Sequence, residues 1–221
     1  MSILARLVGE THRFDGSYVR QWAERRDKEL WNTDDASPES LFVAIMWGVS
    51  RFGTEKMPAG LRGMPCDIRA HYSGDATLFE IGCYVFFRID FWLFANKPEL
   101  REEISQTLAR EFIQLFTKAL RIGNVDQLFE ERLDGYAGLV RGGVNLEKFQ
   151  LMLFYLRELI LRTKDNAQPR PYAFDTTEPL SLDAITNFLV DAVCLTWEED
   201  MIPGLIGSVD TYCNLVQQCK R

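Results

Sequence analysis

Histidine is the side chain whose ordinary titration falls near neutral pH, and this chain of 221 residues holds only two. His71 is the more suggestive of them. Asp67, His71 and Asp75 stand four residues apart, so on a helix they would line one face. A carboxylate beside an imidazole raises its pKa and orients it for proton transfer. Cys66 adjoins Asp67 and lies near Arg69, which makes it the thiol with the most activating neighbourhood in the sequence. Pro65 and Gly74 argue against a continuous helix here, and the simpler reading is a loop histidine with a local hydrogen bond. His12 follows Glu10 and precedes Asp15, but that spacing does not bring three ligands to one helical face. The acidic groups Glu130-Glu131-Asp134 and Glu198-Glu199-Asp200 read as solvated helix ends, because adjacent carboxylates on a helix point to different sides.

Signatures of other chemistries do not occur. There is no Gly-x-Ser-x-Gly elbow, no phosphate loop and no dinucleotide fingerprint, and the five cysteines form no Cys-x-x-Cys pair. No catalytic residue, no metal and no cofactor is expected. An odd number of cysteines, with Cys83 and Cys194 in apolar helical patterns, fits reduced thiols in a cytoplasmic protein. A net charge of −7 without a basic cluster speaks against a nucleic-acid-binding face. The first residues are too short and too interrupted for a signal peptide.

These residues need a scaffold, and the chain points to an all-α one. The most apolar segment, residues 78–94, carries three charges, Glu80, Arg88 and Asp90. Each would cost roughly 2.5–3.5 kcal/mol near a bilayer centre, so a membrane span is not expected. Odd positions 81–93 are all apolar, as in a strand, but the run far exceeds a usual strand of roughly 5–6 residues. A helix that is apolar nearly all round is a buried helix. On it Glu80, Tyr84, Arg88 and Trp92 share one side, while Asp90 lies about 200° from Arg88. Asp75 is expected to cap this helix, and Arg62 or Arg69 to turn inward and pair with Asp90.

Around that segment the sequence predicts a single-domain bundle of eight or nine helices, with long loops at 53–75 and 165–180. Ser17 caps a helix presenting Tyr18, Val19, Trp22 and Ala23 inward. Ser37-Pro38-Glu39 opens the next, with Leu41, Phe42, Ala44, Ile45 and Val49 as its apolar face. Residues 98–120 keep a clean 3.6-residue period through Leu100, Ile104, Leu108, Phe112, Leu115 and Phe116, and Gly123-Asn124 ends them. Residues 125–140 repeat Leu128, Phe129, Leu133 and Val140. Further helices are expected over 2–11, 146–162 and from Ser181, and a last one follows a Pro203-Gly204 turn.

The functional expectation is a non-enzymatic helical interaction protein, an adaptor, inhibitor or immunity-type partner, that binds another protein or a second copy of itself. Its acidity suits basic partners. The alternative is a small-molecule sensor with an aromatic pocket among the helices. The candidate binding residues are Arg88, Asp90, Arg62, Arg69, His71, Tyr84 and Trp92. An enzyme using His71 with Asp67 and Cys66 is the remaining alternative.

Overall fold

A computed structural model describes residues 17–30, 37–51, 74–141, 172–173, 179–180 and 201–219. They are all-α in character. Helix α1 spans Tyr18–Leu30, α2 Pro38–Arg51, α3 Asp75–Asn96, α4 Pro98–Leu120, α5 Val125–Arg141 and α6 Ile202–Cys219. Between α5 and α6, the two-residue segments β1 (Tyr172–Ala173) and β2 (Pro179–Leu180) pair antiparallel, with Tyr172 opposite Leu180. The expected helices at 2–11, 146–162 and after Ser181 lie outside the described residues, as do Arg62, Arg69, His71, Cys66 and His12.

Local chemistry contributes to three of the helix starts. Ser17 Oγ accepts from the Arg20 amide at 3.1 Å, and Ser37 Oγ accepts from the Ser40 amide at 3.1 Å, so both serines cap as their sequence context implies. Pro98 opens α4 immediately after α3 ends, and the Lys97 amide between them donates back to the Leu93 carbonyl at 2.8 Å. Two expectations give way here. Helix α4 ends not at Gly123 but at Arg121, which takes the left-handed conformation with φ 57° and donates its amide to the Thr117 carbonyl. Pro203-Gly204 is no turn: it sits in the first turn of α6, where a proline forfeits no intrahelical bond.

Helix α3 runs unbroken through 22 residues and touches each of the other five helices among the described residues. Its buried side chains share one core with α4 and α5. Phe112 of α4 is the hub, its ring centroid 4.5 Å from Phe116, 4.9 Å from Phe86, 5.0 Å from Phe129 and 5.6 Å from Phe79. Gly82 makes this approach possible, because a Cβ there would lie 2.4 Å from Phe112 Cε2. Helix α6 adds Ile202, Leu205, Val209 and Cys213 to the same core. Its flank is tied to the α3–α4 junction by Lys97 Nζ to Asn214 Oδ1 at 2.9 Å and Gln217 Nε2 to Glu99 Oε1 at 2.7 Å.

Three expected core positions face solvent instead: Tyr18, Ala44 and Val140. Val43 and Met46 are buried in Ala44's place, because α2 is covered over more than the single stripe its period suggests. No helix among the described residues is long and apolar enough to cross a membrane.

Candidate functional site

The polar side of α3 is built from a repeat of four. Glu80, Tyr84 and Arg88 follow one another along it, and Arg132 and Tyr136 follow one another along α5. The two rows meet in parallel register. Glu80 receives the Arg132 guanidinium, Nε at 3.2 Å from both carboxylate oxygens and Nη2 at 3.1 Å from Oε1. One turn on, the Tyr84 and Tyr136 rings meet edge to face at 5.4 Å. The next turn brings Arg88, whose Nη1 donates to the Tyr84 hydroxyl at 2.9 Å.

The buried ions of this helix are therefore not the expected ones. Glu80 is 0 % exposed and Arg132 3 %, whereas Arg88 and Asp90 are only partly buried. The sequence reading missed Arg132 and Tyr136, since both look like solvent-facing positions on a mostly polar helix. The available signal was the offset: Glu80 with Arg132 and Tyr84 with Tyr136 are each 52 residues apart, as two parallel helices in fixed register require. Cys83 lies one turn into the seam. Burial pushes its thiol well up, the Glu80 charge adds to the rise, and Arg132 partly offsets it, so the group is held as an inert thiol.

Asp90 finds its partners on α4. Arg101 grips it through Nε at 2.9 Å and Nη2 at 2.7 Å, and Ser105 Oγ donates at 2.7 Å. The expected partners Arg62 and Arg69 lie outside the described residues; the partners seen come from the very next helix, because the one-residue junction at Lys97 folds the start of α4 back beside the end of α3. Burial alone would raise the Asp90 carboxyl. The hydrogen bonds from Arg101 and Ser105, with the Arg101 charge, bring it below its ordinary value. An open hollow of about 420 Å³ borders this pair, lined by Asp90, Pro98, Arg101, Glu102, Ser105 and Gln106. Its lining is polar rather than aromatic.

Asp75 also departs from expectation. It is the first residue of α3, whose cap position is Gly74, with no side-chain capping bond. Its carboxylate instead caps α1, accepting from Ser17 Oγ at 2.6 Å and from the Tyr18 and Val19 amides at 3.0 and 3.1 Å.

The carboxyl-terminal end of α3 is the place where its apolar character reaches solvent. Phe91 is 49 % exposed and Phe94 60 %. Trp92 between them packs partly against the core. Phe87 touches Tyr136 at 5.4 Å and stacks on Phe91 at 6.3 Å, which places Phe91 and the exposed Val140 at the same end of the α3–α5 pair. The Arg101 guanidinium lies 5.2 Å above the Phe94 ring. Along the outer side of α5, Asp126, Glu130 and Asp134 repeat every four residues, all exposed and none in an ion pair among the described residues.

Compared with family models, curated protein sequences and solved structures, the chain finds no significant match in any of the three. Function must be argued from its own surface. Of the residues singled out in the sequence, the structure joins Tyr84 with Arg88, carries Trp92 one turn further along the same side, and places Asp90 on another side of the same helix. Among the described residues no three His, Cys, Asp or Glu side chains gather as a metal site.

Proposed function

We propose that this protein works by binding another protein, as an adaptor, inhibitor or immunity-type partner, through the end of α3 and the outer side of α5. The observation that carries the reading is the exposure of Phe91 and Phe94 on a helix whose other aromatic rings are committed to the core. Large exposed aromatics mark interfaces when they cluster with other apolar groups, and Val140 lies at the same end. The row of Asp126, Glu130 and Asp134 farther back along α5, in a chain of net charge −7, favours a partner that carries lysine or arginine to one side of its apolar residues. Such a partner is steered in by charge and held by ring burial.

The proposal extends to architecture. Eight or nine helices form one domain, with residues 78–94 as its axis. The contact of α3 with all five other described helices supports that arrangement.

The test is retention of a partner by the full chain and by a Phe91→Ser/Phe94→Ser variant, together with size-exclusion chromatography at several salt concentrations. A protein retained by the wild type, released as salt rises and lost by a variant with unchanged circular dichroism, is the expected result. Self-association abolished by the same variant would make the partner a second copy. A strictly monomeric chain that retains nothing refutes the reading.

A further inference from the structure

Helix α1 packs along α2 but, among the described side chains, buries few hydrophobic groups completely. Among its described side chains, Val19 and Ala23 are the fully buried hydrophobics, whereas α2 buries Leu41, Phe42, Val43, Ile45, Met46 and Val49. Isolated helices this short are marginal in water. What holds the end of α1 therefore bears, together with its packing on α2, on whether it stays in place.

That end is held from another element. The amides of the first turn of a helix have no partner within it. Here Asp75 takes those of Tyr18 and Val19, and Ser17, itself bonded to Asp75, takes that of Arg20. Asp75 is also the first residue of α3, so one negative charge serves the positive ends of two helices. At the other end, Arg26 pairs with Glu39 at the start of α2. Glu39 is more than half exposed, and such surface pairs hold weakly. Between the ends, Trp22 covers Phe42 of α2, their rings 5.5 Å apart.

We infer that Asp75 is a latch, a carboxylate whose bonds to the Ser17–Val19 turn decide whether α1 lies closed. Without that charge, α1 opens as a unit from a body that stays folded, and uncovers the apolar side of α2 at Phe42. Local opening of weakly anchored elements is a general property of folded chains. This device gives it a single control point.

Hydrogen exchange of the full chain, read by mass spectrometry, tests the latch. Asp75→Asn keeps the size of the side chain and removes its charge. Peptides covering residues 18–30 should exchange about tenfold faster, while those from α4 and α5 keep wild-type rates. Ser17→Ala leaves the two amide bonds to Asp75 and should give a smaller rise in the same peptides. An equal rise in every helix with either variant would show a merely structural residue and overturn the inference, as would unchanged exchange in α1. A failure of Asp75→Asn to fold counts against it too, since the body is required to persist, and Ser17→Ala then reads whether α1 loosens ahead of the rest.

Discussion

Removing Arg132 is the sharpest test of the packing. Arg132→Met takes three hydrogen bonds, between 3.1 and 3.2 Å long, from a Glu80 carboxylate that is 0 % exposed. Breaking a buried pair from one side costs about 3–5 kcal/mol, whereas exchanging both ions for apolar groups of similar volume is often neutral or stabilising by roughly 1–4 kcal/mol. Against a total stability of about 5–15 kcal/mol the single loss is large. For a chain of this size each kcal/mol moves Tm by roughly 2–4 °C, so Arg132→Met should melt roughly 6–20 °C lower. Glu80→Met should fall in the same range, and Glu80→Met/Arg132→Met should recover most of the loss. Urea denaturation followed by far-ultraviolet circular dichroism, run as a double-mutant cycle, measures the coupling directly. If the two single losses simply add to within about 0.5 kcal/mol, the pair is not an energetic unit, and the account of α3 and α5 held in register by charge is wrong.

Other positions give independent readouts. Gly82→Ala should cost about 1–3 kcal/mol, because its Cβ would meet Phe112 Cε2 at 2.4 Å and that ring is hemmed in by Phe79, Phe86, Phe116 and Phe129. Gly138→Ala, with nothing within 4 Å of the added carbon, should instead stabilise by up to about 1 kcal/mol, and the opposite signs can be read in one denaturation series. Asp90 has its carboxyl lowered in the folded state, so its contribution is present above the ordinary carboxylate value of 3.8 and is lost as pH falls through the folded value. Asp90→Asn should therefore flatten the acid limb of a stability–pH curve by a modest amount, about 1 kcal/mol or less given the exposure of the pair; an unchanged acid limb would remove Asp90 from that role. Arg121→Gly relieves a left-handed backbone at φ 57° and should raise stability by up to about 1 kcal/mol, the strain relieved exceeding the added freedom of the unfolded chain; a lower denaturation midpoint would contradict this.

How much could be read in advance depended on the range of the interaction. The stripe Leu100–Ile104–Leu108–Phe112 was legible because period and burial are properties of one helix. Ser37-Pro38 was legible because a cap and a proline act within a single turn. Asp75 was misread for the converse reason: its type marked it correctly as a capping residue, but the helix it caps begins 57 residues earlier. Asp90 was rightly seen to need partners from another segment, yet several arginines were available in sequence, and the tight junction at Lys97 selected Arg101. The candidate surface was hidden more deeply. Phe91 and Phe94 look like every other ring in the segment, and nothing local in sequence separates an exposed ring from a buried one.

Composition and spacing on their own determined that the described residues are helical, where several of their helices start, and that residues 78–94 form a continuous apolar element. These outcomes rest on backbone geometry and on capping within a few residues, which any window of the sequence carries. The tertiary structure alone decided which charge is buried, which carboxylate serves which helix and which rings are left in solvent. Those choices turn on the relative placement of helices distant in sequence. A guanidinium and a carboxylate 52 residues apart have no local preference for each other until packing removes the water between them.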